Sequence, residues 1–470
     1  MPGGPPTSPL AGAPDPVHAA DASPRQVALV DLPDSVSVEA SLLPQRLRAA
    51  KPVTWRGRGD LAQVSWAPGT RGTWLVVDLW AGVSGLCIAL LQSGFHFYGV
   101  AAECDTVAAR VAQANMPNLL HVSSVEALQA ELFVPFLQRR QPRGVIMGGG
   151  SPCQGNTSLN VGRRGLDDSR SHQPTELARL RAEFEALPEM QGVELVVFLE
   201  NVASMPKQVR STYSTWMEGQ PVLVDSGCCG WVQRRRLYWL SSRTKALTSA
   251  VQPPDGWVWE PTAWDVPQLV YKGAKPLPPR CFFHQGFQPL FDPTEVLQNG
   301  GVGAMHPFTR EFFHPTDRVS ASSAEAAARF MQDERRFPPS AYEDRSLLWK
   351  QDSWRQPLPD ERAQLMGIPP ESLGPVPGPP ALKRQRQNSL LGNGFHIYTV
   401  MALFAMLPAL LEAKIPRHVP GDEGVQLAER LHFSVWQPGR LQTLPGLLTA
   451  EMVVQRLPGL FPECDLSPTV

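Results

Sequence analysis

The sequence predicts an α/β fold built on a doubly wound sheet, and three features of the chain point to it. Apolar runs of strand length at residues 74–79, 96–102, 144–147 and 194–199 alternate with stretches of helical spacing. Two of these runs end in glycine-rich turns, where a backbone bends sharply and comes close to a ligand. Finally, Glu103, Cys153 and Glu200 each stand at or just past the carboxyl end of a run, the edge where open α/β sheets place their sites.

Taken in order, residues 1–70 are a Pro/Ala/Gly/Ser mixture that cannot bury enough apolar surface to fold alone. Within them, residues 38–47 form a short amphipathic piece able to dock on the domain C-terminal to it. The first strong signal is Thr73-Trp-Leu-Val-Val-Asp-Leu-Trp-Ala-Gly-Val-Ser-Gly85, running into Leu86-Cys-Ile-Ala-Leu-Leu91. It reads as a buried strand, a glycine turn and an apolar helix whose first N–H groups are open to a ligand. A second strand over residues 96–102 delivers Glu103 about 20 positions beyond the turn, the place of a Rossmann-type ribose ligand.

Residues 106–115 have helical spacing, and residues 119–125 read as a third strand running into a helix. Gly144-Val-Ile-Met147 is the next buried strand, and Gly148-Gly-Gly-Ser-Pro-Cys-Gln-Gly155 turns at its end. Pro152 stiffens that loop and Cys153 stands at its tip; alone, a cysteine there is as well read as a structural thiol. A polar stretch with Arg163, Arg164 and Arg170 comes next, then a helix over residues 175–187. Strands at residues 194–199, 221–225 and 237–240 carry Glu200-Asn-Val202 and Gln233-Arg-Arg-Arg236 at their ends. From residue 244 to 348, proline and aromatic residues in irregular runs replace the alternation, which reads as a small inserted domain. Residues 354–366 return to it, with Asp360 and Glu361 opening a helix. Lys383-Arg-Gln-Arg386 precedes Leu390-Leu-Gly-Asn-Gly394 and a last apolar helix over residues 396–411.

Composition narrows the function classes. A net charge of -1 over 470 residues leaves any polyanion binding to a local basic face. The seven cysteines are dispersed without a CxxC pair, which argues against a disulfide framework and a structural zinc site and for a reducing compartment. No apolar run is long enough to span a bilayer, and the opening residues lack the layout of a secretory leader.

Together, Asp78-Leu-Trp-Ala-Gly-Val-Ser-Gly85, Ser151-Pro-Cys-Gln154, Glu200-Asn-Val202, Gln233-Arg-Arg-Arg236 and Gly392-Asn-Gly394 resemble, in residues and in order, the cytosine carbon-5 DNA methyltransferases. Glu200-Asn-Val-Ala-Ser-Met205, the arginines running into Tyr238-Trp239, and residues 336–349 look closest to the eukaryotic de novo class. The resemblance runs over residues 73–412. It implies a Rossmann-like S-adenosylmethionine-dependent methyltransferase sheet with a small irregular target-recognition domain. The expected division is an extension at 1–70, a catalytic domain at 71–243, target recognition at 244–348, a catalytic return at 349–413 and an extension at 414–470.

The resemblance further implies methyl transfer from S-adenosylmethionine to carbon 5 of a flipped-out cytosine in double-stranded DNA, and a nuclear location is expected from that substrate. Cys153 would be the nucleophile, Glu200 the group on the base, and Arg234 and Arg236 the cations around them. Asp78, Trp80, Ala81, Gly82, Val83, Ser84 and Gly85 would wrap the cofactor, with Glu103 on its ribose. His121 and Val122 would flank the adenine, and Pro152, Asn393, Gly394 and Phe395 would close the site. The family usually has an aspartate where His121 stands, so Ser124 is a second candidate for the adenine contact, and Phe is common in place of Trp80. Arg280, His284, Arg310, Arg318, Arg335 and Arg336 are candidate contacts to phosphates or base edges. An RNA methyltransferase of the same chemistry, a regulatory relative without catalysis, and a small-molecule methyltransferase or nucleotide-cofactor oxidoreductase sharing only the sheet are the alternatives. No motif in either extension names a protein partner or an oligomeric state.

Overall fold

In the computed structural model the apolar runs become one nine-stranded sheet. The structure describes residues 65–66, most of 74–273, 284, 287–289, 323–335, most of 339–411, and 417–418. The 38–47 piece, nearly all of the 1–70 and 414–470 extensions, Arg280, Arg310, Arg318, Arg336, Cys281 and Cys464 lie outside the described residues.

Strand β1, Trp74–Leu79, is followed by helix α1, Gly85–Gln92, and strand β2, Phe97–Ala102, by α2, Thr106–Asn115. Short β3, Leu120–Val122, and long β4, Gly144–Gly150, come next. Helix α3, Pro174–Ala186, leads to β5, Glu194–Val202, and α4, Lys207–Trp216, to β6, Val222–Asp225. Strand β7 spans Arg235–Ser242, β8 Trp257–Glu260 and β9 Gln268–Tyr271.

The strand order is β3-β2-β1-β4-β5-β7-β6-β9-β8. Strands β3, β2, β1, β4 and β5 are parallel, while β7 runs antiparallel to both β5 and β6. The order reverses beside β1, so the sheet is Rossmann-like and doubly wound, with its switch point where the β1 and β4 turns leave the sheet. Alternation of side chains along the strands splits the core into two faces. Trp74, Val76, Ile146, Val196, Phe198 and Tyr238 pack on one face, and Leu75, Val77, Met147, Val197, Leu199 and Trp239 on the other.

The hairpin of β8 and β9 adds to the edge of this sheet beside β6. These residues fall within the stretch read as irregular, because Pro253, Pro254, Pro261 and Pro267 punctuate two short aromatic runs and hide their strand character. Strand β10, Gln288–Pro289, pairs with β11, Leu348–Lys350, and β11 with β12, Ser353–Arg355. Helix α5, Ala324–Gln332, packs Ala326 and Phe330 against Ala341 and Tyr342. Helix α6, Pro359–Leu365, is opened by Glu361, whose buried carboxylate accepts from the Leu358 N–H and pairs with Arg355 at 2.7 Å.

Two features differ from the expected helices. Residues Pro380–Asn393 form α7, a mostly exposed helix with Pro380 in its first turn, so the Gly392-Asn-Gly394 stretch is a helix end. The apolar run after it divides into α8, Ile397–Phe404, and α9, Leu407–Leu410, because Pro408 suits a first turn but not a helix interior. All eight residues of α8 are buried, against the same core face as Phe198. Among the described residues, no helix is long and apolar enough to cross a membrane.

Candidate active site

The turn between β1 and α1 is forced into left-handed backbone three times, at Trp80 (φ 53°), Gly82 (φ 57°) and Ser84 (φ 61°). For a bulky residue such as Trp80 this conformation costs about 1–3 kcal/mol and persists only where surrounding contacts hold it. Glu103 supplies one of them: its Oε2 accepts from the Gly82 N–H at 2.8 Å, and its Oε1 from the Asp105 N–H at 2.8 Å. Burial raises the Glu103 carboxyl above its usual range, and those two N–H groups oppose the shift. Buried Asp78 accepts from Cys87 at Oδ2, while its Oδ1 and the buried Ser84 hydroxyl have no partner among the described residues. Ala81 and Val83 face inward into the core. Two orphaned buried oxygens and an acidic strand end suit a ligand that brings N–H, O–H or positive charge.

The loop after β4 presents Cys153 half-buried, against the core face that also carries Trp80. Its base is closed by a ring of buried hydrogen bonds. Asn156 donates to the Tyr213 hydroxyl at 2.9 Å, Tyr213 donates to the Ser171 carbonyl at 2.9 Å, and the Ser171 hydroxyl donates to Asn156 Oδ1 at 3.1 Å. The N–H groups of Asn156 and Thr157 both donate to the Cys153 carbonyl at 2.9 Å, which ties the ring to the cysteine. Burial pushes the Tyr213 hydroxyl up to about 12, so it stays a neutral donor. Sequence reasoning passed over Asn156, Ser171 and Tyr213. Their signal is weak: polar residues in a loop and a tyrosine on the inner face of α4.

Glu200, near the end of β5, lies opposite Gly150 on one side and Tyr238 on the other. Its carboxylate pairs with Arg236 at 2.7 Å. Burial raises the Glu200 carboxyl, and Arg236 and then Arg234 pull it back. Gly150 leaves room for both groups, because a Cβ on it would stand 2.8 Å from Glu200 Oε2 and 3.1 Å from the Phe395 ring. Phe395 also fills the space beside Gly85, where a Cβ would meet it at 2.8 Å. One ring therefore touches the β1 turn and the Glu200 edge together.

Arg234 does something the sequence did not indicate. Its Nη2 donates to the carbonyls of Gly392 at 2.9 Å and Gly394 at 2.7 Å, capping the end of α7 and seating Phe395. Burial, then the like charge of Arg236, lowers its guanidinium to about 10, and Glu200 opposes the shift. Asn201 donates to the Ser151 hydroxyl at 2.9 Å and fixes the start of the cysteine loop, while Pro152 is half-buried and Asn393 is exposed at the rim.

Other candidates are engaged elsewhere. His121 is 2 % exposed and its Nε2 donates to the Met116 carbonyl at 2.9 Å; burial lowers its pKa to about 4, so it is neutral. The Val122 side chain is wholly within the core. Ser124 donates to Glu126. Arg163 donates to the Ser204 carbonyl at 2.7 Å, and Arg170 pairs with Asp168 at 2.7 Å. His284 pairs with Asp360, and Arg335 is a half-buried residue of left-handed backbone just past α5.

No protein-family model matches the chain, and no curated protein matches it. Among solved structures it is similar to the Entamoeba histolytica methyltransferase EhMeth, at 12% identity and a TM-score of 0.44 over 72% of this chain and 98% of that one. It is also similar to a candidate DNA modification methyltransferase encoded within an E. coli prophage, at 19% identity and a TM-score of 0.41 over 72% of this chain and all (100%) of that one.

Proposed function

We propose that the chain transfers a methyl group to carbon 5 of cytosine in double-stranded DNA, with Cys153 as nucleophile and S-adenosylmethionine as donor. One arrangement carries the reading: buried Glu200, paired with Arg236 at 2.7 Å, packed against Gly150, three residues before Cys153. A carboxyl whose pKa is raised by burial can share a proton with a ring nitrogen and accept from an exocyclic amine. Cytosine presents that donor and acceptor pair on one edge. Cys153 adds to carbon 6 as the thiolate, which makes carbon 5 nucleophilic; once carbon 5 carries the methyl group, loss of its proton to a base or water expels the thiolate. The fields of Arg170 and Arg234 both reach Cys153 and favour its thiolate. Arg236 keeps the Glu200 carboxyl turned toward the base.

S-adenosylmethionine, when bound, supplies the methyl group. Asp78, Ser84 and Glu103 suit it by their acceptors: two orphaned buried oxygens for its amine or hydroxyls, and a carboxylate for its ribose. Phe395 would seal that site from the base. His121, turned to Met116, leaves the adenine contact to another group; Ser124 would make it by accepting at the hydroxyl oxygen whose hydrogen it gives to Glu126. The region 244–348 would read the DNA around the target.

The test is transfer of labelled methyl groups to duplex DNA by wild type and Cys153→Ala, with transfer RNA as a parallel acceptor. Labelling of DNA that is lost in the variant is expected. Labelling of RNA alone, or DNA labelling undiminished in Cys153→Ala, overturns the reading.

A further inference from the structure

Trp80 brings to the β1 turn a polar group that most apolar residues lack. Its indole Nε1 donates to Gln173 Oε1 at 3.0 Å. The other end of the same amide is also committed, because Gln173 Nε2 donates to Glu126 Oε1 at 2.7 Å, and Glu126 accepts from the Ser124 hydroxyl too. The amide of Gln173 therefore cannot rotate without breaking a bond at one end. Burial pushes the Glu126 carboxyl up, but Gln173, Ser124 and Arg179 outweigh it and hold the group below its ordinary range, so the far anchor stays anionic.

Gln173 stands at a junction. It closes the short turn Ser169–His172 and opens α3. Ser171, two residues earlier, belongs to the ring with Asn156 and Tyr213, and the Asn156 N–H holds the Cys153 carbonyl. The path from the turn to the nucleophile thus runs Trp80, Gln173, Ser171, Asn156, Cys153, with a bond of 3.1 Å or less at each side-chain step. Trp80 itself occupies unfavourable left-handed backbone, and its ring lies over Gly149 near the end of β4, just before the cysteine loop, 3.5 Å from where a Cβ would stand. A strained residue touching both segments is where ligand binding at one is felt at the other.

We propose that Gln173 is a positioning residue that couples the cofactor turn to the Cys153 loop through the Trp80 indole N–H. The proposal rests on the functional reading above. Neither Gln173 nor the indole N–H touches the reacting atoms; they act by holding Trp80 against the loop.

The experiment uses the full chain with S-adenosylhomocysteine as the probe, in wild type, Trp80→Phe, Gln173→Ala and the double variant. Trp80→Phe keeps an aromatic ring at the turn but removes the fused second ring together with the N–H, so Gln173→Ala is the variant that removes the acceptor alone and the double variant reads their coupling. Calorimetry gives the dissociation constant, and mass spectrometry gives the rate at which iodoacetamide alkylates Cys153 with and without the probe. Each single variant is expected to weaken probe binding about five- to tenfold, the worth of one hydrogen bond. The double variant is expected to be no weaker than either single one. In wild type the probe changes the alkylation rate about threefold or more, and in the variants that response is lost.

Losses that multiply in the double variant would show that the two groups act independently, and an alkylation response that survives in the variants would show a merely structural bond without coupling to Cys153; either result overturns the proposal. Wild-type binding with Gln173→Ala unaltered overturns the coupling and leaves the functional reading standing. Wild-type protein that binds no probe overturns both.

Discussion

Acid should unfold this protein partly through one histidine. His121 is 2 % exposed, donates from Nε2 to the Met116 carbonyl, and is lowered by burial from the usual 6.5 to about 4. In the unfolded chain the ring takes up a proton as pH falls through 6.5, while in the folded chain it stays neutral until about 4. Between those values the unfolded state binds more protons, so stability falls as pH falls. The whole gap is worth about 3 kcal/mol, and the part between pH 7.5 and 5.0 about 2 kcal/mol. Other buried groups contribute with the opposite sign: Asp78 and Glu200 are raised, so folding favours their protonated forms as pH falls. A non-titrating replacement separates the terms. His121→Gln keeps an amide N–H for the Met116 carbonyl and cannot take up a proton. Urea unfolding followed by tryptophan fluorescence at pH 7.5 and 5.0 gives four stabilities. The wild type should lose about 2 kcal/mol more than the variant on acidification. Equal losses, to within about 0.5 kcal/mol, would show that the ring is not held neutral by burial.

Three further outcomes are expected at the site. Tyr213→Phe removes one member of the buried ring under Cys153, leaves Asn156 Nδ2 and the Ser171 carbonyl short of a partner, and should cost about 2–3 kcal/mol in urea unfolding. Gly150→Ala should leave the fold intact by circular dichroism and lower methyl transfer about 10- to 100-fold, since the new Cβ displaces Glu200 Oε2 or Phe395. Arg234→Ala should cost about 3 kcal/mol by leaving the Gly392 and Gly394 carbonyls without their donor. Arg234→Lys should recover only part of it, because an ammonium on a flexible stem does not reproduce the reach of a guanidinium.

Periodicity made the sheet legible. Strands β1, β2, β4 and β5 are continuous apolar runs, as strands buried on both faces must be, and the turns after β1 and β4 carry their glycines openly. What escaped the sequence depends on partners far along the chain. Nothing near Arg234 says that its guanidinium reaches carbonyls 158 and 160 residues away. His121 is the middle residue of short β3, within reach of the edge where ligands bind, but the Met116 carbonyl only five residues back captures its ring. Helix α7 did carry a signal, Pro380 at its start followed by Ala, Leu, Lys, Arg and Gln, all good helix formers; the lack of an apolar stripe concealed it.

The burial of α8 on every side has a consequence for how the chain comes into being. That helix is made after all nine strands of the sheet, yet it covers the face on which Trp74, Ile146 and Phe198 lie. Translation at roughly 5–20 residues per second separates β1 from α8 by tens of seconds. From the completion of β9 at Tyr271 to the arrival of α8 at Ile397 the chain has every strand of this sheet but lacks a helix that covers part of one face. The closing of that face of the sheet waits on α8, which among the described residues is followed by one further short helix.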